Sequence, residues 1–173
     1  MSSVLFLASA RSEGNTRKVC QYLSETAGIP CIDFNDFKIA YYDYQHQYEA
    51  DDFAKVIEQL LAFDTLILAT PVYWYTMSAQ MKTFLDRISD LLMPHNEAWL
   101  PQLTGKTIWT VAVGSEPTPT PHFFDPFRLS AEYLGMYYGG DLHTWLGRVP
   151  VMKPEVQPLL DAFAKHLKVR MED

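Results

Sequence analysis

The sequence predicts an α/β fold, a parallel sheet with helices on both faces, and three observations predict it. Short apolar segments of strand length alternate along the chain with segments of helical period, the pattern of successive β-α units. No internal repeat, low-complexity tract or linker interrupts that alternation. The 173 residues also match one domain of roughly 100 to 200 residues, large enough to bury a core around five strands without staples. A single domain over residues 1–173 is therefore expected.

Each element has its own signal. Val4 to Ala8 is apolar throughout and reads as a strand buried on both sides. A polar loop leads into a helix from about Thr16 to Ala27, with Val19, Tyr22 and Leu23 inward. Ile29 to Phe34 is the second strand. A polar, tyrosine-rich connection, Asn35 to Ala50, reaches Asp51-Asp52, which can cap a helix whose Phe53, Val56, Ile57, Leu60 and Leu61 form one stripe. Thr65 to Thr70 is the third strand, ended by Pro71, and Ser78 caps a helix that buries Met81, Phe84, Leu85 and Ile88. Thr107 to Val113 is the fourth strand, followed by the Pro-rich loop Gly114 to Pro126 and a helix from Phe127 to Leu134. Tyr137 to Leu142 supplies the fifth strand. Pro154 sits in the first turn of a last helix that carries Val156, Leu159, Leu160, Phe163 and Leu167 at helical spacing.

Composition narrows the function. No apolar run approaches the ~20 residues that span a bilayer, and Met1 to Leu7 has neither the basic flank nor the apolar length of a signal peptide. A cytoplasmic protein without membrane insertion is expected. Cys20 and Cys31 make neither a disulfide framework nor a CxxC pair and are expected to be reduced and structural. With 21 acidic and 14 basic residues the formal charge is −7, which repels nucleic-acid backbones and anionic membranes. The partner is expected to be a small molecule.

Ligands of parallel sheets bind outside the carboxyl ends of the strands, so the loops Ser9 to Asn15, Pro71 to Met77 and Gly114 to Pro126 should converge. The first, Ser9-Ala10-Arg11-Ser12-Glu13-Gly14-Asn15-Thr16, offers hydroxyls, a guanidinium and a permissive glycine before a helix N-terminus. Those residues suit a phosphate cradle, and equally an ordinary capped helix start. The loop is neither G-x-G-x-x-G nor a P-loop. In the second, Pro71 stiffens the chain and Val72, Tyr73, Trp74 and Tyr75 offer backbone amides and flat aromatic surface. Those rings serve either a planar cofactor or packing in an interface. No G-x-S-x-G nucleophile elbow occurs, His122 and His143 have no ligand-spaced partner, and Asp43, His46 and Glu49 read as solvated, so no metal is assigned.

Ser-x-Arg-x-x-Gly-Asn-Thr after the first strand resembles the phosphate loop of the NADPH-dependent FMN reductase-like, or flavodoxin-like NAD(P)H oxidoreductase, family. Thr70-Pro71-Val72-Tyr73-Trp74, running on to Lys82 and Asp86-Arg87, resembles that family's flavin loop and following helix. The resemblance runs from Val4 to about Gly114. It departs at Ala8, where the family often has Gly, and at Gly114-Ser115-Glu116-Pro117, where the family loop is richer in glycine.

It implies a flavodoxin-like three-layer sandwich with a five-stranded parallel sheet in the order 2-1-3-4-5. It further implies FMN held by Ser9, Arg11, Gly14, Asn15, Thr16, Pro71, Val72, Tyr73, Trp74, Tyr75, Gly114 and Ser115. NADPH or NADH would be the hydride donor, and a quinone, azo compound, nitroarene or free flavin the acceptor, in a ping-pong cycle and a homodimer. Lys82, Asp86 and Arg87 read as scaffold or interface, and Phe123 and Phe124 as the apolar lid of a substrate pocket. Flavin hydride transfer needs no side-chain acid or base, so no catalytic residue is assigned. The rival readings are a flavodoxin-type electron carrier and a flavin-free regulatory domain.

Overall fold

A computed structural model describes residues 2–48, 51–96, 98–147 and 152–172. Five strands, β1 (Ser3–Leu7), β2 (Cys31–Asp33), β3 (Thr65–Pro71), β4 (Thr107–Gly114) and β5 (Tyr137–Trp145), form one parallel sheet in the order β2-β1-β3-β4-β5. The connecting helices are α1 (Asn15–Ala27), α2 (Phe53–Leu61), α3 (Ala79–Arg87) and α4 (Asp125–Tyr133), with α5 (Gln157–Glu172) following β5. Both the architecture and the strand order match the expectation from sequence.

Alternate strand residues feed two cores, as the period of two along a pleated strand requires. Val4, Phe6, Leu66, Leu68 and Ile108 pack with α2, α3 and α4, while Leu5, Leu7, Ile67, Val111 and Val113 pack with α1 and α5. The strands β1, β3 and β4 are buried almost throughout, which is why they read as uninterrupted apolar runs.

Helix ends follow local chemistry. Gly28 ends α1 with φ 71°, its amide donating to Ser24 O at 2.8 Å. Ser78 caps α3 by accepting from Met81 N at 3.2 Å, as expected. Asp52 does not cap α2 through its side chain. Instead Asp51 Oδ1 accepts from Phe53 N at 3.1 Å and Asp52 Oδ2 from Lys38 N at 2.9 Å, so the pair ties the long connection to the helix start.

Several boundaries shift for identifiable reasons. The β2 strand is shorter than Ile29 to Phe34, because Asp33 Oδ1 accepts from Asn35 N at 2.9 Å and turns residues 34–36 into a 3-10 helix. The α4 helix starts at Asp125, with Pro126 inside its first turn, where a missing amide costs nothing. Pro154 belongs to the turn before α5, and Pro158 takes the first-turn position, leaving Leu159 40% exposed. Tyr22 is half-buried rather than inward, its hydroxyl on Asp161. Glu49 and Ala50 lie outside the described residues.

The tyrosine-rich connection is anchored by one buried cation. Arg87 is 3% exposed, pairs with Asp51 and with Asp90 at 2.6 Å, and donates to Ala40 O at 2.9 Å. Its guanidinium lies 3.7 Å from the Tyr48 ring centroid and 4.6 Å from that of Phe53. Burial opposes its charge, but the two carboxylates raise its pKa; Asp51, likewise opposed by burial, is held below the usual carboxylate value by Arg87 and the Ala40 and Phe53 amides. Arg87 is thus scaffold, whereas Lys82 and Asp86 pair with each other on the exposed face of α3.

Candidate functional site: three loops stitched together at the carboxyl edge of the sheet

The loops after β1 and β3 are joined by a buried hydroxyl relay. Ser78 N donates to Thr70 Oγ1 at 3.0 Å, and Ser78 Oγ donates to Ala8 O at 2.7 Å while capping α3. One serine therefore fixes the start of α3 against the end of β1. The loops after β3 and β4 are joined by Val72 N donating to Val113 O at 2.9 Å. The loop after β4 is held by β5: His143 Nε2 lies 2.9 Å from Glu116 O, and since a carbonyl only accepts, that nitrogen carries the proton. Leu146 N adds a bond to Gly114 O at 3.3 Å.

Within the first loop, Ser9 is buried and its Oγ accepts from Arg11 N at 3.5 Å, at the long limit of a hydrogen bond. Arg11 is exposed, and Thr16 is buried in the first turn of α1. Gly14 is the N-cap of α1 with φ −162°, an extended conformation open to any residue; the permissive glycine expected from sequence is not used for a left-handed turn. No side chain caps α1 and its first turn carries no acidic residue, so its leading amides face an anion-attracting end.

Asn15 does more scaffolding than the sequence suggests. Its Nδ2 donates to Leu146 O and Gly147 O, both at 3.1 Å, tying α1 to the chain after β5. Three further residues missed by sequence reasoning shape the same loop. Asn35 Nδ2 donates to Ser9 O at 2.8 Å and Ser12 Oγ at 3.2 Å, while Arg17 bridges Ser12 O at 2.9 Å and the buried Asp33 at 2.5 Å. Asn35 carried one signal, its position just past the carboxyl end of a strand.

A cleft of about 990 Å³ opens beside this loop, lined by Arg11, Gly14, Asn15, Arg17, Lys18 and Ser115 among others. With Arg17 paired to Asp33, Arg11 and Lys18 still outnumber the carboxylate of Glu13, which makes the lining basic on balance in a chain of net charge −7. The amides, hydroxyls and guanidinium gathered here are the donor set that a phosphate monoester requires, so the residues present fit the anionic end of FMN.

The second loop stands at the end of the neighbouring β3 and does not line that cleft. Pro71 closes the strand, and Tyr73 N to Thr76 O at 2.8 Å and Thr76 N to Tyr73 O at 3.1 Å close a two-residue hairpin. Its central residues, Trp74 and Tyr75, have φ 49° and 67°, the left-handed pair that such a turn demands and that glycine or asparagine normally supplies. Their rings are 92% and 74% exposed. The amides of Val72 and Tyr73 are spent on the protein, whereas those of Trp74 and Tyr75 have no protein acceptor among the described bonds. Gly114 ends β4, and a Cβ there would meet the His143 ring at 3.1 Å. Phe123 corrects the expected lid: it is 5% exposed and packs into the core against Phe127, with Phe124 half-buried beside it.

Comparison with known proteins agrees with the fold. The chain is 39% identical over 67 residues to Bacillus subtilis YwqN, named for an NAD(P)H-dependent FMN-containing oxidoreductase; the match spans 38% of this chain and 37% of that relative. Three solved structures share the fold across nearly the whole chain. The Trp repressor binding protein of Bacillus subtilis has a TM-score of 0.73 at 24% identity, covering 96% of this chain and 97% of that one. The NADPH-quinone reductase of P. pentosaceus has 0.70 at 18%, covering 96% and 98%. General stress protein 14 of Treponema denticola, solved with FMN, has 0.63 at 14%, covering 99% and 98%. The family model for NADPH-dependent FMN reductase matches residues 1–140, the span that contains all three stitched loops, and the chain belongs to that family.

Proposed function

We propose that this chain binds FMN across the carboxyl ends of β1, β3 and β4 and acts as an NAD(P)H oxidoreductase that reduces a small acceptor in a ping-pong cycle. The observation that carries this reading is the stitching of three loops around an uncapped, locally basic helix N-terminus, within the span of the family match. Ser9, Arg11 and the leading α1 amides, Gly14 to Thr16, hold the phosphate. Pro71 to Tyr75 border the ring system, with the Trp74 and Tyr75 amides available to it, and Gly114 and Ser115 form the third side. FMN, when bound, supplies the hydride-accepting and hydride-donating chemistry. The protein binds and orients, and no side chain is assigned a proton-transfer role.

The acceptor class is a quinone, azo compound, nitroarene or free flavin, all small and planar enough to alternate with a nicotinamide at one open face. Among the described residues no helix is long and apolar enough to cross a membrane. The test begins with flavin chromatography of the purified, FMN-reconstituted protein, followed by steady-state turnover with NADH or NADPH and a soluble quinone. Retained FMN and parallel double-reciprocal lines are expected. Retention of FAD alone, or intersecting lines, contradicts the reading.

A further inference from the structure

We propose that Cys31 is a peroxide-reactive thiol and Cys20 its resolving partner, the two forming a reversible disulfide between β2 and α1. This goes beyond the structural role expected of the cysteines from sequence, and it does not depend on flavin binding.

The fold brings the two cysteines into one apolar cluster. Cys20 is fully buried on the inward face of α1, and Cys31, the half-buried first residue of β2, packs against the same apolar cluster. Cys31 pairs in register with Leu5, another member of that cluster, so its side chain points toward α1. These are the chain's only cysteines.

Their surroundings are unequal, which divides the roles. Arg17, one turn before Cys20, places Nη1 3.9 Å from Cys31 Sγ while its other nitrogens hold Asp33 and Ser12 O. The neighbouring Cys20 thiol and the charge of Arg17 draw the Cys31 thiol below its ordinary pKa, against burial and the opposing Asp33. Burial above all, with the contact to Cys31, pushes Cys20 well up. A partly exposed thiol beside a guanidinium, backed by a buried second thiol, is the arrangement that oxidises first and is then resolved.

The chemistry balances with a peroxide as oxidant. The Cys31 thiolate attacks one peroxide oxygen, the O–O bond breaks, and the departing hydroxide takes a proton and leaves as water. Cys31 is then a sulfenic acid. Cys20 loses its proton as its sulfur attacks the sulfenic sulfur, the S–S bond forms, and hydroxide departs as a second water. Two thiols are oxidised, one peroxide is reduced, and a dithiol reductant reverses the step.

The purified protein is treated with a modest excess of hydrogen peroxide, alkylated under denaturing conditions and digested for mass spectrometry. An intrachain Cys20–Cys31 cross-linked peptide, two hydrogens lighter than the reduced pair and abolished by dithiothreitol, is expected. In Cys20→Ala, dimedone should trap a sulfenic acid at Cys31; in Cys31→Ser, Cys20 should remain a free thiol. The proposal fails if both thiols stay alkylatable after peroxide, if cross-links form only between chains, or if dimedone labels Cys20 in Cys31→Ser as readily as Cys31 in Cys20→Ala. The assay reads the two thiols alone and adds no nicotinamide, so either result leaves the oxidoreductase reading untouched.

Discussion

Arg11 and Tyr75 stand at the two ends of the proposed site. Arg11 is exposed at the rim of the cleft, beside the uncapped amides of α1, where on the proposed reading its charge meets the phosphate of FMN. Arg11→Ala should weaken FMN by about 1.5 to 3 kcal/mol, the worth of a charge-assisted hydrogen bond, and leave riboflavin affinity unchanged. Fluorescence titration with both flavins measures this, and equal losses would place Arg11 elsewhere in function. Tyr75 holds φ 67° with its ring in solvent, a conformation that costs an L-residue roughly 1 to 2 kcal/mol and asparagine less. Tyr75→Asn should therefore raise the urea midpoint while impairing turnover, since strain of this kind persists where a display of side chains repays it. A lower midpoint would mean that the Tyr75 ring packs on the fold.

Among the elements, the connection before α2 depends on Arg87 in α3. Arg87→Met leaves Asp51 buried without a counter-charge and Asp90 with only His46, 3.3 Å away, which should cost about 3 to 5 kcal/mol in chemical denaturation. In the unmodified chain Asp51 is held below its unfolded pKa, so its contribution is complete above about pH 4 to 5 and is lost as pH falls through the lower folded value. In the variant the unpaired Asp51 carboxylate is disfavoured by burial instead, so stability should increase on going from pH 7 toward 5. Denaturation midpoints across that range decide, and a variant that tracks the parent at every pH would refute the anchoring role. Arg87 was legible from sequence only as scaffold or interface, because Asp51 and Ala40 lie 36 and 47 residues away in a loop with no periodic pattern and Asp90 alone is local. The strands β1, β3 and β4 were legible because both of their faces are buried. By contrast, β5 runs to Trp145, three residues past the expected Leu142, since an edge strand carries polar Asp141 and His143 and hides its length. Its Gly139 is dictated by Trp109, whose ring lies 2.2 Å from where a Cβ would sit, a long-range reason that no local signal carries. The loop after β1 was readable as residue types suited to a phosphate, but the stitches of Asn15 to Gly147 and of Ser78 to Ala8 span 132 and 70 positions and depended on the fold.

For the whole molecule, Tyr73, Trp74 and Tyr75 form an exposed aromatic tip beside the site, and burying it between two copies is the economical solution. Light scattering at micromolar concentration should report a homodimer, and Trp74→Ser should shift it toward monomer. A monomer at all concentrations would leave the tip to the ligand alone. The central claim is that the stitched loops present FMN to a nicotinamide. A flavin carrier could use the same loops with both ring faces covered, and the exposed Trp74–Tyr75 hairpin offers rings to cover one face. Anaerobic stopped-flow absorbance of the FMN-loaded protein separates the two. Mixing with NADPH or NADH should bleach the oxidised flavin band within the turnover time. If neither nicotinamide reduces the flavin while dithionite does so readily, the oxidoreductase account is wrong and the chain is an electron carrier.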